Sequence, residues 1–95
     1  MLQTIERKAI STAIRKDPVV LILFFNVDCI PCKIQKTVLK TVIRKRPDVK
    51  YYGISTEIGQ GEVPRIQIFK DSVVVKKFTK VATRAEILEA LDGED

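Results

Sequence analysis

The sequence predicts an α/β fold with a mixed four-stranded sheet and helices on both faces. Three observations predict it. Val19-Val20-Leu21-Ile22-Leu23-Phe24-Phe25 is a continuous apolar run rich in β-forming residues, which reads as a strand buried on both faces. A helical stretch and a second strand-like run follow, so residues 19–54 read as one β-α-β unit with a parallel pair and a right-handed crossover. Two further strand-like runs flank Asp71-Ser72, the pattern of a hairpin.

In chain order, residues 2–16 read as an amphipathic helix. Leu2, Ile5, Ala9 and Ala13, with Ile10 and Ile14, fall at helical spacing between charges. Asp17-Pro18 ends it, because proline disfavours helix at the residue before it. Asn26-Val27-Asp28 turns the chain after the first strand. A second helix is expected from about Cys29 to Arg46, stopped before Pro47. Its inner stripe is Ile34, Val38, Leu39, Val42 and Ile43, and its outer stripe is Lys33, Lys36, Lys40 and Arg44.

Residues 49–54 form the next strand and 55–63 a loop containing Gly59 and Gly61. Strands at about 65–69 and 73–79 follow. A last helix spans Thr83 to Leu91, with Thr83 as N-cap and Glu86 three residues on completing a capping box. In such sheets, sites form at the carboxyl ends of the parallel strands, and residues 29–32 lie at that end of the first strand.

A chain of 95 residues is one domain, 1–95. With 45% apolar residues it has enough for a core and too much for a disordered tail. Its longest apolar run is far short of the ~20 residues a membrane span needs. Glu6, Arg7, Lys8, Arg15 and Lys16 break any apolar leader region, so a cytoplasmic protein with no membrane partner is expected. The net charge is +5. Residues 86–95 hold five acids and no base, so residues 1–85 carry 17 − 7 = +10. A basic body of this kind favours acidic partners or simply keeps the surface solvated.

There are only two cysteines, Cys29 and Cys32. A secreted disulfide scaffold uses more, spread along the chain, so one close pair points to redox chemistry or metal binding. Zinc needs about four ligands, and this chain has no histidine and no further cysteine; only a metal shared between two chains would remain. On the first turn of a helix the two thiols can close a small disulfide ring. The helix N-terminus favours an anion there. Lys33 and Lys36 share the face of Cys29 and should lower its pKa from the ordinary thiol range, while Asp28 opposes them. Pro31 suits a first helical turn, where its missing N–H is no loss.

The run from Val19 to Lys33, a buried strand leading into Cys29-Ile30-Pro31-Cys32-Lys33, resembles the active-site segment of the thioredoxin family. Val63-Pro64, just before the strand Arg65-Ile66-Gln67-Ile68-Phe69, resembles that family's cis-proline loop. The resemblance covers roughly residues 5–92. It implies a minimal thioredoxin-like fold that lacks the usual first strand and the helix before the cis-proline loop. It further implies that Pro64 is cis and faces the cysteines.

The chain also departs from the family pattern. Leu23 stands where a buried aspartate is usual, and Tyr51 or Tyr52 where a lysine accompanies it. Phe25 and Asp28 replace two tryptophans, Ile30 replaces the glycine between the cysteines, and Lys80 replaces a glycine after the last strand.

The function implied is reduction of protein disulfides, with Cys29 as nucleophile and Cys32 as resolving thiol. Ile30, Pro31, Val63, Pro64 and Lys80 would meet the substrate. Lys33, Lys36, Lys80 and Arg65 would ring an apolar patch with positive charge and select disulfide-bearing proteins with acidic surfaces. No cofactor is implied beyond the redox disulfide itself, and an upstream reductase would recharge a monomeric protein. The alternatives are a glutaredoxin-like activity, an oxidase or isomerase, and a binding module whose cysteines are secondary. The order Ile30-Pro31 disfavours the first. Nucleic-acid binding is disfavoured because no aromatic residues interleave with the basic stripe on 33–46.

Overall fold

A computed structural model describes residues 2–56 and 62–93. The elements in order are β1 (Gln3–Thr4), a 3₁₀ turn (Arg7–Ala9), α1 (Ile10–Lys16), β2 (Val19–Phe25), α2 (Ile30–Lys45), β3 (Lys50–Ser55), β4 (Arg65–Lys70), β5 (Val73–Phe78) and α3 (Arg84–Asp92). The sheet order is β1-β3-β2-β4-β5. β1, β3 and β2 run parallel, while β4 and β5 are antiparallel additions. No described helix is long and apolar enough to cross a membrane.

β2 is the central strand, with β3 on one side and β4 on the other. Its side chains alternate between faces, and both faces are buried. Leu21, Leu23 and Phe25 join Leu39 and Val42 of α2 and Ile87 and Leu91 of α3 in one core. Val20, Ile22 and Phe24 join Ala13 of α1, Tyr52, Ile54 and Phe69 in the other. Each large apolar side chain so enclosed contributes roughly 1.5–3 kcal/mol. That double enclosure explains an apolar run with no polar alternation.

The sheet has five strands, not four. The extra one is a first strand where the sequence predicts helix and where the resemblance implies no strand. Gln3 and Thr4 pair with Tyr52 and Gly53, and the Ile5 N–H donates to the Gly53 carbonyl at 2.9 Å. The reason is a missing helix cap and an available partner strand. No side chain caps a helix start at Glu6 or Ala9, and β3 offers an open row of backbone groups. Gly53 admits the close approach of Leu2. A Cβ there would lie 3.2 Å from Leu2 Cδ2 and 3.1 Å from Phe25 Cε1. The apolar spacing that suggests a helix belongs in its later part to α1.

The other elements lie within a residue or two of their predicted bounds. Asp71 and Ser72 both have positive φ, at 52° and 70°, as a two-residue hairpin requires. The Asp71 N–H donates to the Pro18 carbonyl at 2.8 Å. Opposite Ile68 and Phe69 the pairing jumps from Lys76 to Val74, leaving Val75 as a bulge. Most of the predicted loop 55–63, and with it the expected lack of a helix there, falls on residues 57–61, outside the described residues.

Candidate functional site

The site forms where β2 ends. Phe25 and Asn26 are locked to the end of β3. The Thr56 N–H donates to the Phe25 carbonyl at 2.7 Å, and Asn26 Nδ2 donates to the Thr56 carbonyl at 3.1 Å. The other side-chain atom of Asn26, Oδ1, accepts from the Asp28 N–H at 2.9 Å, and the Asn26 carbonyl accepts from the Cys29 N–H at 3.3 Å. One buried asparagine thus shapes the turn that presents Cys29.

Cys29 is the N-cap of α2 and Pro31 lies in its first turn. Cys29 and Cys32 form a disulfide with Cα atoms 5.2 Å apart. The Cys32 N–H points at Cys29 Sγ at 3.1 Å, one of the otherwise unpaired donors at a helix start. Such a donor stabilises negative charge on that sulfur once the disulfide opens. The two sulfurs differ in access: Cys29 is partly exposed, whereas Cys32 is 1% exposed within the α2-side core.

The Val63–Pro64 peptide is cis, and the Val63 carbonyl oxygen lies 3.9 Å from Cys29 Sγ. An open groove of about 760 Å³ runs beside it, lined by Pro31, Val63, Pro64, Thr79, Lys80 and Val81 with Glu62 at one end. Val27, Ile30 and Ile34, near the cysteines in sequence, stand exposed at 71%, 70% and 52%.

The structure brings together Cys29, Cys32, Pro31, Val63, Pro64 and Lys80. Ile30 and Lys33 are exposed on the first turn of α2, and Asp28 is exposed just before it. Lys36 and Arg65 stand elsewhere than a ring around the groove. The Lys36 ammonium sits over the Phe25 ring, 3.6 Å from its centroid. The Arg65 guanidinium stacks on Phe24 at 4.3 Å, against the α1-side core, and donates to the Glu62 carbonyl. Leu23 is wholly buried, and no carboxylate is buried among the described residues. Among those residues no group of three metal-ligating side chains occurs.

Sequence reasoning missed Gln35. It is fully buried and holds the groove's far wall to α2 through two hydrogen bonds to Ala82. The inner stripe of α2 is therefore Cys32, Gln35, Leu39 and Val42, while Ile34 faces out. The spacing of 3, 4 and 3 residues from Cys32 was the available signal, masked by the polarity of glutamine.

Solved structures share this fold over nearly the whole chain. Mitochondrial thioredoxin 3 of Saccharomyces cerevisiae, in its oxidized form, is 17% identical with a TM-score of 0.81, covering 95% of this chain and 92% of that one. The fold is that of thioredoxin. Thioredoxin f2 of Chlamydomonas reinhardtii matches at 18% identity and TM-score 0.78, over 96% and 93% of the two chains. Oxidised thioredoxin of Plasmodium falciparum matches at 12% and 0.80, over 97% and 96%. No family model and no curated protein matches the chain by sequence. Within the thioredoxin fold, the cysteine pair here occupies the carboxyl end of the central strand, facing the cis-proline.

Proposed function

We propose that the chain is a thiol–disulfide oxidoreductase that reduces protein disulfides through Cys29 and Cys32. The observation that carries this reading is the asymmetry of the pair. A reachable sulfur caps a helix beside a groove lined by Pro31, Val63 and Pro64, and a buried partner is already bonded to it.

In the reduced protein the Cys29 thiolate attacks one sulfur of a substrate disulfide. That S–S bond breaks, and the departing thiolate takes a proton from solvent. Cys32 then loses its proton and attacks Cys29 Sγ. The substrate's second sulfur leaves as a thiolate, and two electrons have passed to the substrate. The Cys29–Cys32 disulfide that remains is reduced again by the dithiol of an upstream reductase. Ile30, Pro31, Val63, Pro64 and Lys80 are the proposed substrate contacts. Lys33, Lys36 and Asp28 are the charges proposed to set thiol reactivity. The protein is proposed to act as a monomer in the cytoplasm, where dithiols are kept reduced, on substrates with acidic surfaces.

Insulin reduction by dithiothreitol is the test. The wild-type protein should accelerate it, Cys29→Ser should abolish the acceleration, and Cys32→Ser should accumulate mixed disulfides. A wild-type protein that gives no acceleration, or a Cys29→Ser variant that keeps it, overturns the reading. A double Cys29→Ser, Cys32→Ser variant that retains full biological function would favour a binding module.

A further inference from the structure

A second groove, of about 430 Å³, runs along α2 and is lined by Leu2, Lys36, Leu39, Lys40, Ile43 and Arg44. Its floor is apolar: Leu2, Leu39 and Ile43. Its rim is three cations, Lys36, Lys40 and Arg44, of which Lys36 also lies over the Phe25 ring. From Ile30 to Lys45 the helix carries no acidic residue. Among the described residues none of the three cations is in an ion pair.

We propose that this groove docks an acidic amphipathic helix of a protein partner. Lys36, Lys40 and Arg44 recur every four residues, so positive charge recurs about every 6 Å along the axis. A helix laid beside α2 places its own carboxylates at the same interval and turns the apolar residues between them onto the floor. An extended segment alternates its side chains between two faces, so residues next to its acids would point away from the floor. A single fatty-acid carboxylate would answer one cation and leave two unmatched. The upper end of the groove, at Lys36, lies seven residues beyond Cys29, about 10 Å along α2. A docked partner is therefore held beside the disulfide and gains effective concentration there. This last step rests on the proposed redox function; the docking itself does not.

The test uses the full, oxidised, ¹⁵N-labelled protein and a synthetic twelve-residue amphipathic peptide with glutamates at every fourth position between leucines. Amide shifts should map to residues 36–44 and to Leu2. The matching glutamine peptide should bind about tenfold more weakly, and 0.5 M salt should weaken the acidic peptide similarly. A Lys40→Glu, Arg44→Glu variant, its fold checked by circular dichroism, should lose the acidic peptide and gain one carrying lysines in place of glutamates.

Absence of shifts, shifts confined to 27–33 and 62–64, or equal binding of the glutamine peptide overturns the proposal. So does sodium dodecanoate shifting 36–44 at lower concentration than the peptide, which would assign the groove to a small anionic amphiphile. Insulin reduction reads the redox function separately, so the two can fail independently.

Discussion

Gln35 and Ala82 are joined as two backbone groups in a sheet would be. Gln35 Nε2 donates to the Ala82 carbonyl at 3.1 Å, and the Ala82 N–H donates to Gln35 Oε1 at 2.7 Å. Both residues are buried. The pair ties the segment before α3, which lines the groove beside the cis-proline at Thr79, Lys80 and Val81, to the helix that carries the cysteines.

Replacing Gln35 with leucine keeps most of the volume and orphans the Ala82 N–H and carbonyl. Two buried unsatisfied groups cost about 3 kcal/mol together, lowering Tm by about 15 °C in a domain of this size. Thermal unfolding measures the loss. The KM for insulin should also rise, because the wall at Lys80 and Val81 loses its tether.

Cys32 sits among Leu23, Leu39, Ile66 and Ala82, with no buried carboxylate among the described residues. Release of a thionitrobenzoate group loaded onto Cys29 should therefore accelerate as pH rises, following formation of the attacking thiolate. Stopped-flow absorbance follows it. A rate independent of pH would contradict the prediction.

Burial pushes the Tyr51 phenol up from its ordinary value of 10.0 to about 12, and its hydroxyl donates to the Arg46 carbonyl at 2.7 Å. The folded state favours the protonated phenol. That contribution is whole below pH 10 and disappears as pH rises towards 12. An ultraviolet titration should show a late transition that is lost in Tyr51→Phe. The variant should also lose about 1 kcal/mol at neutral pH with the hydrogen bond.

The capping box at α3 gives an acid-side prediction. The Thr83 N–H donates to the Glu86 carboxylate at 2.9 Å, and the Glu86 N–H to Thr83 Oγ1 at 3.1 Å. The first bond holds the Glu86 carboxyl below its ordinary range. Its stabilising effect is present above that range and is lost as pH falls through and below it. The Tm gap between wild type and Glu86→Ala should accordingly narrow in acid. Thr83→Ala should cost about 1 kcal/mol.

What the sequence revealed followed from patterns that are local in the chain. The run 19–25, the Asp71-Ser72 turn, the Thr83 and Glu86 cap and the spacing of Cys29 and Cys32 each act within a few residues, so each was legible. What stayed hidden depends on groups far apart in sequence. β1 exists because Gly53 leaves room for Leu2. Gln35 is buried because Ala82 offers it two partners. Arg65 turns from the groove because Phe24 offers a ring face, and Lys36 is held by Phe25. A one-dimensional pattern assigns charged side chains to solvent and cannot register an aromatic face supplied by another element.

The bulge at Val75 bears on how the protein behaves in a crowded cell. β5 is a sheet margin with Val73, Val74 and Val75 exposed at 62%, 38% and 48%, the kind of stretch on which unrelated chains stack into aggregates. The unpaired residue breaks the flat ladder that such stacking needs. Lys76 and Lys77 follow at once, so a second copy added in register would bring like charges within about 5 Å. Removing these two lysines should leave a molecule that folds as before but clumps on heating or storage.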